Sequence, residues 1–174
     1  MEKNIRIFWL DTSALVKLFI DERGSKELRE EVSGKDWTFI YTIDYCKYEF
    51  FNVLKRKLIT EKKRESITEK SNALKDYFKY ISILNTYIKN EQIKIDDMDD
   101  DTTIIWRDTR ILAEKYEIDF TDAIQFALLQ TGSLSMFKGG KSEAILVTSD
   151  TGMIKAAEGE NMPFWNPENG LFAG

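Results

Sequence analysis

The sequence has no histidine and a single cysteine in 174 residues. Without imidazole, Ser-His-Asp and Cys-His nucleophile systems and the HExxH metalloprotease motif all lack a necessary part. One thiol builds neither a zinc finger nor a disulfide framework. No apolar run approaches the roughly 18 residues a membrane helix needs. The opening Met1-Glu2-Lys3-Asn4 is not followed by a long apolar signal region. A cytoplasmic location without membrane association is the expectation. Cations are in the minority, with 25 Lys and Arg against 30 Asp and Glu for a net charge of −5. That balance argues against strong nonspecific nucleic-acid binding by the whole surface and leaves such binding to a local basic stripe. Chemistry is left to carboxylates, amines and hydroxyls.

With 43% hydrophobic and 32% charged residues the chain reads as globular, and its length suits one domain over residues 1–174. Residues 5–10 are a short apolar, β-branched run that stops at Asp11, as a buried strand does. Thr12-Ser13 start a helix, and a second helix spans 25–32 with Gly34 just past its end. A strand at 37–41 follows, and Thr42 is read as the cap of a helix carrying Cys46, Phe50, Val53, Leu54 and Leu58 at the 3.6-residue period. From 60 to 90 the pattern is helical and highly charged, read as two helices, before 92–95 turns strand-like. Helices at about 102–116 and 120–130 lead to a Gly- and Ser-rich loop at 132–142. A strand at 144–148, a helix at 151–157 and an edge strand at 162–165 complete the chain. Strands alternating with helices predict an α/β domain with a mainly parallel sheet.

In an open parallel sheet, ligands sit beyond the carboxyl ends of the strands. Asp11 and Asp150 each end a strand at that edge. Asp is also a favoured N-cap, and a helix follows each, so capping is the ordinary role for either alone. Two such caps on one edge also build an anionic pocket. Asp122 stands three positions after Asp119, a pairing that resembles a capping box and puts Asp122 in the first turn of its helix. Glu49 lies in the apolar stretch Tyr48-Glu49-Phe50-Phe51, at the margin of the buried stripe. A carboxylate there needs a partner, in the plain case a nearby Lys or Arg.

Four pieces carry a resemblance over about residues 5–157. They are Leu10-Asp11-Thr12-Ser13-Ala14-Leu15, Glu49 with Asn52-Val53-Leu54-Lys55-Arg56, Thr121-Asp122-Ala123-Ile124, and Leu146-Val147-Thr148-Ser149-Asp150. In this order they resemble a PIN-domain nuclease, nearest to the compact VapC-type ribonuclease toxins. The resemblance implies a three-layer α/β/α sandwich. It makes Asp11, Glu49, Asp122 and Asp150 the metal-binding acids of a divalent-metal endoribonuclease. Ser13, Asp119 and Thr148 are supporting candidates on their own chemistry: Ser13 or Thr148 to orient water or phosphate, with local capping the plainer role for Ser13. The resemblance also implies a homodimer and, for the toxin group, a small antitoxin protein. Mg²⁺ and Mn²⁺ fit this residue inventory, because hard cations prefer carboxylate oxygen and water. Such an ion acidifies water for attack on phosphorus and steadies the leaving oxygen. The chain is longer than the compact toxins, with the charged helical segment near 60–95 as the extra material, and Met153 stands where those toxins often carry an aromatic residue.

Lys55-Arg56-Lys57 and Lys62-Lys63-Arg64 place six cations within ten residues. Lys55, Arg56, Lys62 and Lys63 are candidates for guiding an RNA backbone to the acids; a solvated helix face is the plainer role. The acid run at 96–101 precedes a helix and complements its N-terminal dipole. Tyr45, Tyr48, Phe50 and Phe51 form a stripe suited to core packing or to an interface between two copies. Other acid-based classes fit less well. A metal-ion adhesion site needs a second Ser where Leu15 stands, and a haloacid-dehalogenase-type phosphatase needs an Asp where Ser13 stands. The serious alternative is a catalytically silent PIN-like module that binds RNA or a protein.

Overall fold

Strand β1 (Arg6–Leu10) is apolar on both faces because both faces are covered: Ile7, Phe8, Trp9 and Leu10 are all buried. The computed structural model describes residues 5–33, 38–61, 66–96, 102–137 and 143–172. Four further strands, β2 (Thr38–Thr42), β3 (Lys94–Ile95), β4 (Glu143–Val147) and β5 (Phe164–Trp165), join β1 in the order β3-β2-β1-β4-β5. Every pairing is parallel, with Phe8 opposite Ile40 on one side and Ile145 on the other. The helices are α1 (Thr12–Phe19), α2 (Ser25–Val32), α3 (Asp44–Lys55), α4 (Ile67–Lys89), α5 (Thr102–Tyr116), α6 (Phe120–Thr131) and α7 (Thr151–Gly159). The first four pack together and the last three pack together, sandwiching the sheet in a three-layer α/β/α arrangement. Among the described residues no helix is long and apolar enough to cross a membrane.

Parallel strands need long crossovers, and their order decides where a crevice opens. From β1 the chain moves outward through β2 and β3, then returns past β1 to β4 and β5. The reversal lies between β1 and β4, the switch point at which open α/β sheets bind ligands. Asp11 and Asp150 leave the sheet there.

Three local expectations are corrected. Thr42 does not cap α3: it is the fully buried last residue of β2, and its hydroxyl donates to the Leu10 carbonyl at 2.9 Å. That bond ties two strand ends together, and the helix begins two residues later with Ile43 at the N-cap position. Among the described residues the charged segment near 60–90 holds one 23-residue helix, α4, rather than two. Ala73, Tyr77, Tyr80, Leu84 and Ile88 keep an unbroken inward stripe at helical spacing, and no Gly or Pro interrupts it. Ser66 starts this helix with a reciprocal capping box to Glu69. Finally, Asp119 sits at the N-cap position of α6 without any side-chain cap bond. A capping box needs a hydroxyl answered by a Glu or Gln, whereas two Asp carboxylates repel each other.

The aromatic stripe on α3 divides. Phe50 is in the core against Phe19, while Tyr45 and Tyr48 are exposed. The last turn of the same helix widens into a π turn, Arg56–Thr60, with the Glu61 amide donating to the Arg56 carbonyl at 2.9 Å. Such turns recur at functional sites. Of the remaining expectations, the start of the strand at 37, Gly34, Lys62, Lys63, Asp97 to Asp101 and much of the 132–142 loop lie outside the described residues.

Candidate active site

An open cavity of about 340 Å³ sits over the carboxyl ends of β1 and β4. Its walls include Asp11, Glu49, Asp122 and Asp150, the four acids singled out in the sequence, together with Ser13 and Asp119. Thr148 is buried behind the wall, and Lys55 is exposed outside it.

Asp11 is only 3% exposed, and its carboxylate is fixed by four short contacts. Oδ1 accepts the Ala14 amide at 2.7 Å and the Ser13 hydroxyl at 2.8 Å. Oδ2 accepts the Thr148 hydroxyl at 2.5 Å and is 3.0 Å from the Ser13 oxygen. Asp11 does cap α1, and capping and service at the cavity are therefore compatible. Thr148 in turn accepts the Asp150 amide, and Ser13 accepts the Ser149 amide, both at 2.9 Å. These hydroxyls stitch the β1 and β4 ends together, so Ser13 acts as a bridge rather than as a helix cap.

Asp150 caps α7 by accepting the Met153 amide at 2.9 Å, yet its side chain stays exposed to the cavity. A Cβ placed on Gly152 would lie 2.9 Å from Ile118 and 3.1 Å from the Asp150 carboxylate. The missing side chain lets the start of α7 approach the turn before α6, which carries Asp119 and Asp122. Glu49 meets no cation among the described residues; it accepts the Thr12 hydroxyl at 2.6 Å across α1 and α3. The plain alternative of a salt bridge is not seen among the described residues, and Glu49 is an exposed acid held on one hydroxyl.

Two of the acids, Asp11 and Asp122, bind protons more tightly than free carboxylates, through burial first and neighbouring charge second. Burial pushes Asp11 from 3.8 up to about 6 against the pull of its hydrogen bonds, with a further rise from Asp150. Burial also pushes Asp122 up, to about 7, and the charges of Asp150, Asp11, Glu49 and Asp119 add to it. Repelling carboxylates around one open cavity form an environment that a divalent cation would relieve. Oxygen-only donors suit Mg²⁺ or Mn²⁺, so the residues fit such an ion. Among the described residues the acids line the walls without converging as a ready-made ligand cluster.

Cys46 is buried against Gln125, and burial pushes its thiol up to about 12. It is a core residue without nucleophilic character, consistent with chemistry built on oxygen.

Thr12 and Glu22 take part in the cavity without being sequence candidates, and Lys57 stands among the candidates only as a member of the basic run. Lys57 lines the wall beside Arg56, and Glu22, also on the wall, accepts from the Lys57 ammonium. Glu49, Val53, Arg56 and Lys57 all face the cavity at positions i, i+4, i+7 and i+8, a helical spacing readable in the sequence. Glu22, in a connection between helices, carries no such signal.

The PIN-domain family model matches residues 8–159. The chain belongs to the PIN-domain family. PIN domains are generally nucleases and usually use divalent metal ions. No curated protein matches the chain.

Proposed function

We propose that the protein is a divalent-metal-dependent endoribonuclease. The observation that carries this reading is the meeting of Asp11, Glu49, Asp122 and Asp150 in one open cavity at the sheet's switch point, beside Arg56 and Lys57. Asp11, Glu49, Asp122 and Asp150 would hold the ion, Mg²⁺ or Mn²⁺. When bound, that ion would activate water and stabilise charge on the departing oxygen. The chain's own part is to fix the acids: Thr148 and Ser13 orient Asp11, Thr12 orients Glu49, and the Met153 amide orients Asp150. Arg56 draws the RNA backbone toward them, with Lys55, Lys62 and Lys63 extending the basic approach. Asp119 adds charge at the rim.

This reading includes action in the cytoplasm, a single domain with the 60–95 segment as an insertion, and a homodimer. Its toxin form, supported by the VapC-like order of the motifs, adds an antitoxin that blocks the cavity. A second reading draws on the caps: Asp11 and Asp150 both serve helix N-termini, as they would in a silent RNA- or protein-binding module.

Incubation of end-labelled RNA with the protein separates the two. The nuclease reading expects internal cleavage in Mg²⁺ or Mn²⁺, none in EDTA, and a loss of at least about a hundredfold in Asp122→Asn. RNA that is bound but left intact by the wild type in either metal selects the silent module.

A further inference from the structure

Among the described residues, the cavity wall carries six acids, Asp11, Glu22, Glu49, Asp119, Asp122 and Asp150, against two cations, Arg56 and Lys57. A polyanionic backbone entering such a wall needs a cation held in place, because a flexible one loses side-chain entropy on contact. The two cations differ in this respect. Arg56 is 61% exposed, and its pair with Glu61, at 3.2 Å, is equally open to solvent. Pairs of that kind hold little.

Lys57 is fixed. Its Nζ donates to Glu22 Oε2 at 2.7 Å. Glu22 Oε1 accepts Lys17 Nζ at 2.9 Å, and the same Lys17 donates to Glu168 Oε1 at 2.8 Å. The Lys17 side chain is only 4% exposed. A buried ammonium requires compensating acids, and two carboxylates on one lysine leave a surplus negative charge that Lys57 cancels. Burial works against ionisation of Glu22, yet hydrogen bonds from Lys57 and Lys17 hold its carboxyl below the ordinary value. The relay ends in the turn Pro167–Asn169, beyond the family-matched span, which packs on Gly24 so closely that a Cβ there would lie 2.8 Å from its backbone. At the other end, the π turn sets Lys57 on the cavity side while Leu58 stays buried.

We propose that Lys57 is a phosphate-contacting residue of the cavity, and that Lys17 and Glu22 are positioning residues that hold its ammonium beside the acids. The proposal rests on the nuclease reading of the same cavity and adds to it the residue that receives the RNA backbone. Lys57 is the wall cation that the relay holds in place, whereas Arg56 is paired only to the exposed Glu61.

The test is binding of a fluorescent single-stranded RNA to the Asp122→Asn protein in Mg²⁺ across a salt series. Adding Lys57→Ala should weaken binding about tenfold, the loss expected for one charge-assisted contact, and make the salt slope shallower by about 0.7. Lys57→Gln, which keeps a polar end for Glu22, should do the same, and Lys57→Arg should restore binding. Glu22→Gln provides a test by sign. Removing a negative charge from the wall tightens binding if charge alone matters, whereas loss of positioning weakens it; the relay predicts the weakening. An unchanged slope in Lys57→Ala and Lys57→Gln overturns the contact, and equal or tighter binding by Glu22→Gln overturns the positioning role. Cleavage by the otherwise wild-type protein is measured alongside. If it persists in Mg²⁺ while these binding effects are missing, the relay fails alone. If it is absent, the nuclease reading falls and the relay stands or falls on the binding data.

Discussion

Asp11→Asn and Asp150→Asn should each lower metal-dependent RNA cleavage by about a thousandfold or more while leaving the melting temperature within a few degrees of wild type. Asn is nearly the size of Asp and is an equally good N-cap, so α1 and α7 keep their starts. What disappears is the charge. A neutral amide is a poor ligand for a hard cation, and loss of a preorganised electrostatic contact at a reacting centre costs about 10²–10³ in rate even without a metal. Single-turnover cleavage and a thermal melt on the same preparations check both halves. Activity retained by either variant would return that acid to a capping role. Collapse of the fold would mean that the cap outweighs the chemistry.

The second large effect is on stability. With no metal, folding raises the proton affinity of Asp11 to about 6 and of Asp122 to about 7, both from 3.8. Between about pH 4 and 7 the folded protein therefore binds more protons than the unfolded chain, and stability falls as pH rises through that window. A tenfold change in proton affinity is worth about 1.4 kcal/mol, so the metal-free protein should melt several degrees higher at pH 5.5 than at pH 8. Glu22 and Glu168 are held in the opposite direction, below 4.5, so they withdraw stability only at lower pH. Mn²⁺ reverses the trend because it binds the deprotonated acids. At about a hundred times its dissociation constant it adds about 2.7 kcal/mol, or roughly 5–11 °C for a chain of this size. That gain should be large at pH 8 and small at pH 5.5. Asp122→Asn should flatten both dependences. Melting curves in EDTA and Mn²⁺ at the two pH values measure all of this, and a metal-free protein that is equally stable at both would contradict the burial and mutual repulsion that raise these two acids.

Much of the architecture was legible because hydrophobic period and strand-end punctuation agreed along the chain. The run into Asp11 marks β1, and α2 and α5 have the bounds that their patterns predict. The site acids were legible for a related reason: an acid at the end of an apolar strand can cap the next helix and face the crevice together, and Asp11 and Asp150 do both. Errors arose where a residue's partner is distant in sequence. Thr42 has the chemistry of a cap, but the nearest acceptor in space is the carbonyl of Leu10 on the neighbouring strand. Charged residues on the outer side of α4 masked its continuous inner stripe. Glu22 and Lys17 are joined to Glu168, some 150 positions further on, by a contact that no local pattern encodes. Lys57 was legible only as a member of the basic run, although its spacing from Glu49 puts both on one helical face.

The central claim is that four acids form one divalent-cation site, and equilibrium Mn²⁺ binding at pH 7.5, followed by the electron paramagnetic resonance signal of the free ion, tests it most directly. Wild type should remove Mn²⁺ from solution, Mg²⁺ should compete for the same capacity, and Asp122→Asn should bind at least about tenfold more weakly. Wild-type protein that takes up no Mn²⁺, or an Asp122→Asn protein that takes it up with unchanged affinity, would contradict the account.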